Sequence, residues 1–352
     1  MLINVLSILA AVLGVSALIV LHEAGHFLVA RACGMRVERF SVGFGKVLFR
    51  FQRGETEFAI SALPLGGYVS ISGMGVGEEI SPDDRTAYCN QAPWRRFAVI
   101  LAGPFANYAL AVVMAAVLLL GVGLSAADPT ARVGEVTPGM PAEQAGLQRG
   151  DRITSAAGVK VATFAELVTE LQRHPGQTIT LEVVRGDGPD AQGLAVPITP
   201  RDQGGKGRVG FGQATLLTHA DGPADAVAQS FDRTHTVLAA QVGAFSQLFS
   251  NAANVEGPVG IGKRLFHAAK EGAGPFFTLL WLISAVLALF NLFPIPGLDG
   301  ARLAFLGYEL ITRRKVNARV ETVIHTVGVL ALLGLLALVS LKDIANLLHV
   351  GR

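Results

Sequence analysis

The chain has 352 residues, a net charge of only +2, 51% hydrophobic and 16% charged residues, and a mean hydropathy of +0.47. That balance excludes an average soluble protein, and basic residues gathered at the margins of apolar runs rather than in one patch exclude a nucleic-acid partner. Two cysteines, Cys33 and Cys89, both on the expected reducing side, exclude a disulfide framework.

Residues 1–21 carry no charged side chain and are long enough to cross a bilayer. A cleaved signal peptide is the alternative, but no basic residue opens the run, and cleavage near Ala17 would strip the membrane from the residues behind it. The expectation is a retained first span leading into His22-Glu23-Ala24-Gly25-His26. On a helix the two histidines share one face and can ligate one ion, while Glu23 can take a proton from a water on that ion. Two histidines facing a helical bundle is the bland alternative. Three polar groups at this depth are costly to insert, however, and usually mark an ion or substrate site.

The next stretch, 31–96, holds Arg31, Arg36, Arg39, Lys46, Arg50, Arg53, Arg85, Arg95 and Arg96. Within it, 55–61 and 63–77 alternate apolar and polar residues and contain Gly66, Gly67, Tyr68, Gly73, Gly75 and Gly77, the composition of strands and turns. A strand edge near the metal could take an unwound substrate as one more strand, and a plain glycine-rich loop is the other reading. A second charge-free run covers 97–127. From Asp128 to about Gly212 the composition shifts to Gly, Pro, Asp and Arg, enough for one small domain with a helix over 164–173 and a strand over 178–185.

Between 224 and 249, Val227, Phe231, Leu238, Val242, Phe245 and Phe249 recur at helical spacing, which predicts an amphipathic helix on the outer leaflet or against the spans. The third apolar run, 272–298, ends in Asn291-Leu292-Phe293-Pro294-Ile295-Pro296-Gly297-Leu298-Asp299-Gly300, where two prolines break the helix. A catalytic zinc commonly takes three protein ligands, and Asp299, at the same membrane edge as His26, can supply the third. A helix-end carboxylate paired with Arg302 is the alternative. The fourth run, 322–341, carries His325 as its one ionisable group, and His219, His235, His267, His325 and His349 lack paired spacing and read as structural or solvated. Arg302, Arg313, Arg314, Lys315 and Arg319 follow the third span while no basic residue precedes His22, so both basic loops are expected in the cytoplasm, with both termini and the polar domain outside.

The HEAGH and NLFPIPGLDG segments in this order resemble the site-2 protease family of intramembrane zinc metalloproteases, in particular bacterial RseP-type members. Further matches are 40–45, 64–69, Gly103-Pro104-Phe105-Ala106-Asn107 and 257–261. Arg132 to Val136, 140–147 and Gly150-Asp151-Arg152-Ile153, with the helix-like 164–173 and strand-like 178–185, resemble a PDZ domain. Many RseP-type proteins carry two tandem PDZ domains, whereas the 45 or so residues from Gly212 to Gly257 leave room for none beyond the first.

The resemblance implies one catalytic Zn2+ held by His22, His26 and Asp299, Glu23 as general base, and Asn291 in contact with substrate or steadying the site. Pro294, Pro296, Gly66, Gly67 and Tyr68 are expected to support the site or bind substrate, and Asn107 to contact a neighbouring helix or the site. The expected fold is a polytopic α-helical membrane protein with four transmembrane helices, a membrane-associated β-hairpin and one inserted PDZ domain. Its parts are 1–127 with the first two spans, 128–213 as the PDZ domain, 214–270 as an amphipathic connector, and 271–352 with the last two spans. The resemblance further implies a multi-pass protein of the bacterial inner membrane that cuts transmembrane segments of single-pass proteins already shortened by another protease, such as anti-sigma factors of a stress response, or remnant signal peptides. A PDZ peptide ligand is a further expected partner. A non-catalytic adaptor presenting a PDZ domain, and a metal transporter, are the competing readings. Intact His22, Glu23, His26 and Asp299 speak against the first, and the lack of carboxylates in the second and fourth runs against the second.

Overall fold

The computed structural model describes residues 2–75, 78–188, 190–248 and 257–350. Gly77 of the expected strand region and Phe249 of the expected helical stripe lie outside them. The chain divides into two compact units, 1–122 with 219–352, and 123–218.

Helix α1 (Leu2–Ala32) carries the whole first apolar run and the HExxH pentad without a break, since no proline interrupts it near His22. At a rise of 1.5 Å per residue it is about 46 Å long, more than a bilayer core requires. A hairpin of β1 (Val37–Arg53) and β2 (Thr56–Ile71) comes next, turning at Gly54 with φ +62. It is longer than the sequence pattern predicts, because Val47-Leu48-Phe49-Arg50-Phe51, which does not alternate, also pairs with 58–61. The hairpin doubles back on itself: 39–42 lie between 57–60 and 67–70, which leaves 67–71 with one paired edge among the described residues. Phe44, Leu48, Phe49, Phe51 and Leu63 are exposed on it.

Helix α2 (Pro93–Leu120) is the second apolar helix, with Arg95 and Arg96 already inside its first turn. Arg96 is buried against Glu309 at 2.6 Å. The run 97–127 is therefore not all span. Its tail is β3 (Leu124–Ala127), an extended segment that belongs to the second unit.

That unit continues with β4 (Val133–Val136), α3 (Pro141–Gln144), β5 (Arg152–Ala156), β6 (Val159–Lys160), α4 (Phe164–Gln172), β7 (Ile179–Arg185), β8 (Gln192–Ile198), β9 (Arg201–Asp202), β10 (Gly207–Arg208), β11 (Phe211–Gln213) and β12 (Thr215–Thr218). Its sheet runs β6-β5-β7-β8, and β3 pairs with β12, β4 with β11 and β9 with β10. Val133, Ile153, Leu167, Leu181, Val183 and Ile198 form its core. Thr163 and Glu166 close a capping box at the start of α4. The unit is wider than 128–213 because the β3–β12 pair closes it as a two-stranded stem, Ala127 opposite Thr215 and Leu124 opposite Thr218.

The chain then enters α5 (Pro223–Leu248), which packs on α2, and α6 (Pro258–Glu271), whose first amides at Gly257 and Gly260 meet Asp343 at 3.0 and 2.8 Å. On α5, Ser230 and Thr234 are fully buried, and Thr234 Oγ1 accepts from the Trp281 indole at 3.2 Å. The helix thus lies against the spans, the second of the two positions its pattern left open. Helix α7 (Ala273–Phe290) ends eight residues before the third apolar run does, for the prolines keep 291–298 unwound. Helix α8 (Asp299–Thr312) starts at the aspartate, and α9 (Ala318–Val350) is the fourth apolar helix. Four described helices, α1, α2, α7 and α9, are long and apolar enough to cross a membrane.

Candidate metal centre

His22 and His26 sit one turn apart on α1 and are both buried. Their Nε2 atoms are 3.1 Å from each other, and Asp299 Oδ2 lies 3.0 Å from the first and 3.3 Å from the second. A tetrahedral zinc with N and O ligands at 2.0–2.1 Å holds neighbouring ligand atoms about 3.3 Å apart, so this triangle has the size of one face of such a site. Asp299 Oδ2 is buried and, among the described residues, faces the two imidazole nitrogens. His26 Nδ1 lies 2.8 Å from the carbonyl of Val99, which can only accept, so Nδ1 carries the hydrogen and the Nε2 lone pair points toward Asp299. Two imidazole nitrogens and a buried carboxylate oxygen converging at this spacing suit a cation, and the set fits a zinc ion.

Three local features bring these atoms together. On α2, Gly103 faces the histidine pair, and a Cβ there would overlap His26 Nε2. On α1, a Cβ at Gly25 would run into the carbonyl of Ala102, so the two helices meet backbone to backbone between the two histidines. In the unwound segment, Gly297 adopts φ +97, and its N–H donates to Nδ1 of His325 at 3.4 Å. Gly300 lies so close to Phe293 O that no side chain fits, which lets α8 begin by folding back over the turn. No ion pair joins Asp299 to Arg302 among the described residues; the carboxylate faces the histidines instead.

Glu23, between the two histidines, receives the N–H of Val69 on Oε2 at 3.1 Å. The open edge of 67–71 thus runs beside α1. Gly66, at φ +131, and Gly67 permit that approach: side chains there would press on Ile19 and Phe44, or on Ser41 O and Val20. Ser16 Oγ also donates to Pro64 O. Tyr68 is directed elsewhere, its ring stacked on Phe44 and its hydroxyl 3.3 Å from Arg39. Asn291 caps the end of α7, half-buried, with no side-chain hydrogen bond among the described residues. Pro294 and Pro296 shape the turn, and Pro296 packs on Gly328 of α9. Asn107 Nδ2 is 3.3 Å from His22 Nδ1.

Sequence reasoning named Gly103 and Val69 only as members of the matching segments 103–107 and 64–69 and gave neither a role; it did not single out Val99 or the Arg96–Glu309 pair, and it set His325 aside. The backbone groups of Val99 and Val69 act independently of their side chains and leave no signal.

The pattern that defines peptidase family M50 matches residues 10–335. Over 96% of this chain and 98% of its own length, a protein of Clostridium perfringens described as a candidate zinc metalloprotease is 34% identical. Proteins with the same description from Mesorhizobium japonicum and a Nostoc species are 34% and 33% identical, over 94% and 97% of this chain and 96% and 97% of theirs.

Proposed function

The chain belongs to peptidase family M50, the site-2 proteases, and from that premise we propose that it is a zinc-dependent intramembrane protease acting on transmembrane segments of single-pass proteins. The observation that carries the reading is the convergence of His22 Nε2, His26 Nε2 and Asp299 Oδ2, with Glu23 on the same helix. The names of the relatives, all metal-dependent proteases by description, support zinc as the ion.

When bound, zinc supplies Lewis-acid polarisation of a peptide carbonyl and makes water acidic enough to attack at neutral pH. Glu23 is the general base: its carboxylate takes the water's proton and hands it to the leaving amine. The Val69 N–H fixes that carboxylate through Oε2. A transmembrane helix hides its carbonyls in internal hydrogen bonds, so a substrate must be held extended before cleavage. The open edge of 67–71 beside Glu23 suits that task by strand addition, and the exposed aromatic and aliphatic residues of the hairpin suit a membrane-embedded setting.

The unit 123–218 is read as a PDZ-type domain outside the cytoplasm that captures or filters substrate tails. Helix α4 packed on a small antiparallel sheet and the Gly146 to Asp151 turn support this. Basic residues flanking His26 and α8 favour an active site toward the cytoplasm and placement in the bacterial inner membrane. Substrates of the kind implied are truncated anti-sigma factors or remnant signal peptides. An adaptor role would leave the three ligand atoms without a purpose.

The test is cleavage of a truncated single-pass substrate by the purified protein in detergent, alongside bound zinc. Glu23→Gln should keep about one zinc per chain and lose 10²–10⁴-fold in rate, while Asp299→Asn should lose the zinc. Equal cleavage by wild type and Glu23→Gln would overturn the assignment.

A further inference from the structure

We propose that Asn107 is a positioning residue for the metal centre: its side-chain oxygen accepts a hydrogen bond from Nδ1–H of His22 and so keeps Nε2 of that histidine free to bind a cation. The inference rests on the metalloprotease reading and concerns how this chain prepares one of its ligands.

The two histidines do equivalent work but meet different surroundings. His26 is settled by the Val99 carbonyl, which can only accept and therefore fixes the hydrogen on Nδ1. His22 has a primary amide in the corresponding place. Val99, Gly103 and Asn107 are spaced four apart on α2, so one stripe of that helix answers the histidine pair of α1 with a carbonyl, a gap and an amide. Asn107 is 1% exposed, and its backbone carbonyl accepts from Ser284 Oγ of α7 at 2.9 Å, which ties the residue to a second span.

The amide stands with Nδ2 toward His22 Nδ1 and with Oδ1 buried and, among the described residues, unpartnered. In that orientation the imidazole must accept at Nδ1, which puts its hydrogen on Nε2, the atom that faces His26 and Asp299. A protonated Nε2 cannot ligate. Once Nε2 gives its lone pair to a cation, the hydrogen moves to Nδ1, and two donors would then confront each other across 3.3 Å. Oxygen and nitrogen of a primary amide exchange places by a half-turn about the last torsion and are assigned from their surroundings. The half-turn leaves one buried amide position unpaired, as before, but replaces a donor-to-donor contact with a hydrogen bond. Partners of this kind hold ligand rings in one tautomer, and their loss commonly weakens metal affinity 10–100-fold.

Zinc affinity of the full-length protein in detergent, measured by competition with a chelator of known strength, tests this without reference to cleavage. Asn107→Leu, near in size but without polar atoms, should bind zinc 10–100-fold more weakly than wild type. Asn107→Asp, which has an acceptor oxygen in both positions, should bind at or above the wild-type level. Asn107→Ala serves in place of the leucine variant if the latter is not monodisperse. Unchanged affinity in the leucine or alanine variant overturns the proposal. So does an Asn107→Asp protein as weak as Asn107→Leu, which would assign the effect to packing or to the amide donor. A wild-type protein that takes up no zinc would sink the metalloprotease reading itself, a failure distinct from either of these.

Discussion

At the scale of single residues, the metal centre depends as much on what is absent as on what is present. Gly103 supplies nothing but room, since any side chain there would occupy the position of His26 Nε2. Gly103→Ala should therefore lower zinc affinity tenfold or more, because the ring must leave its place or the helices must separate in a tightly packed contact. Chelator competition reads the loss directly, and an alanine variant with wild-type affinity would mean that the helices part without cost. Gly297 serves differently. Its left-handed φ turns the chain after two prolines so that Asp299 reaches the histidines, and His325 accepts its N–H. The four chemical residues are readable from sequence because HExxH and the aspartate carry their chemistry in side chains. Val99 and Val69 are not, because a backbone carbonyl or amide is the same at every position.

At the scale of elements, the hairpin and the broken third helix decide the geometry. The β1–β2 hairpin curls so that 39–42 pair on both sides and the free edge of 67–71 meets α1 at Glu23. Val69→Pro removes the N–H that reaches Glu23, on an edge where proline is tolerated, and keeps an apolar ring where the valine packs on the core. Bound zinc should stay at the wild-type level while cleavage falls roughly 10–100-fold, the value of a hydrogen bond to a charged group. A parallel fall in zinc would show instead that the hairpin has shifted. The alternation that reveals such strands is legible over 55–61 and 63–71, but β1 begins in a segment whose Gly43 and Gly45 mask the period, and its full length emerges only in pairing. The end of α7 is foreseeable from Pro294 and Pro296. That α8 begins at Asp299 itself, with Glu309 anchoring it to Arg96 across 2.6 Å, joins residues 213 positions apart and leaves no local sign.

At the scale of the whole molecule, the unit 123–218 enters and leaves the chain through paired strands, and Asp128 N–H bonds the Ala214 carbonyl at 2.8 Å. Replacing 128–214 with Asn-Gly should close the β3–β12 stem as a hairpin. The shortened protein should still bind about one zinc, and a zinc-free product would show that the other unit needs this insertion to fold. Within the insertion, Asp151 is 2% exposed. Burial pushes its carboxyl up, but the Arg185 guanidinium and the Gln148 N–H outweigh burial and hold it below its ordinary 3.8. A carboxyl depressed in the fold stabilises it fully above the unfolded value, and that contribution is lost as pH falls through the folded one. Amide protection in β5 and β7, taken relative to the intrinsic exchange rate at each pH, should therefore fall below about pH 4, and Asp151→Asn should abolish that acid-sensitive part; an unchanged acid profile in the variant would assign it elsewhere. The sequence by itself determined the apolar helices, the chemistry-bearing residues His22, Glu23, His26 and Asp299 and the presence of a polar insertion, because hydrophobic runs and side-chain chemistry are local. Only the tertiary structure decided which helix faces meet, which backbone groups hold His26 and Glu23, and where the insertion closes, because those depend on contacts between segments far apart in the chain.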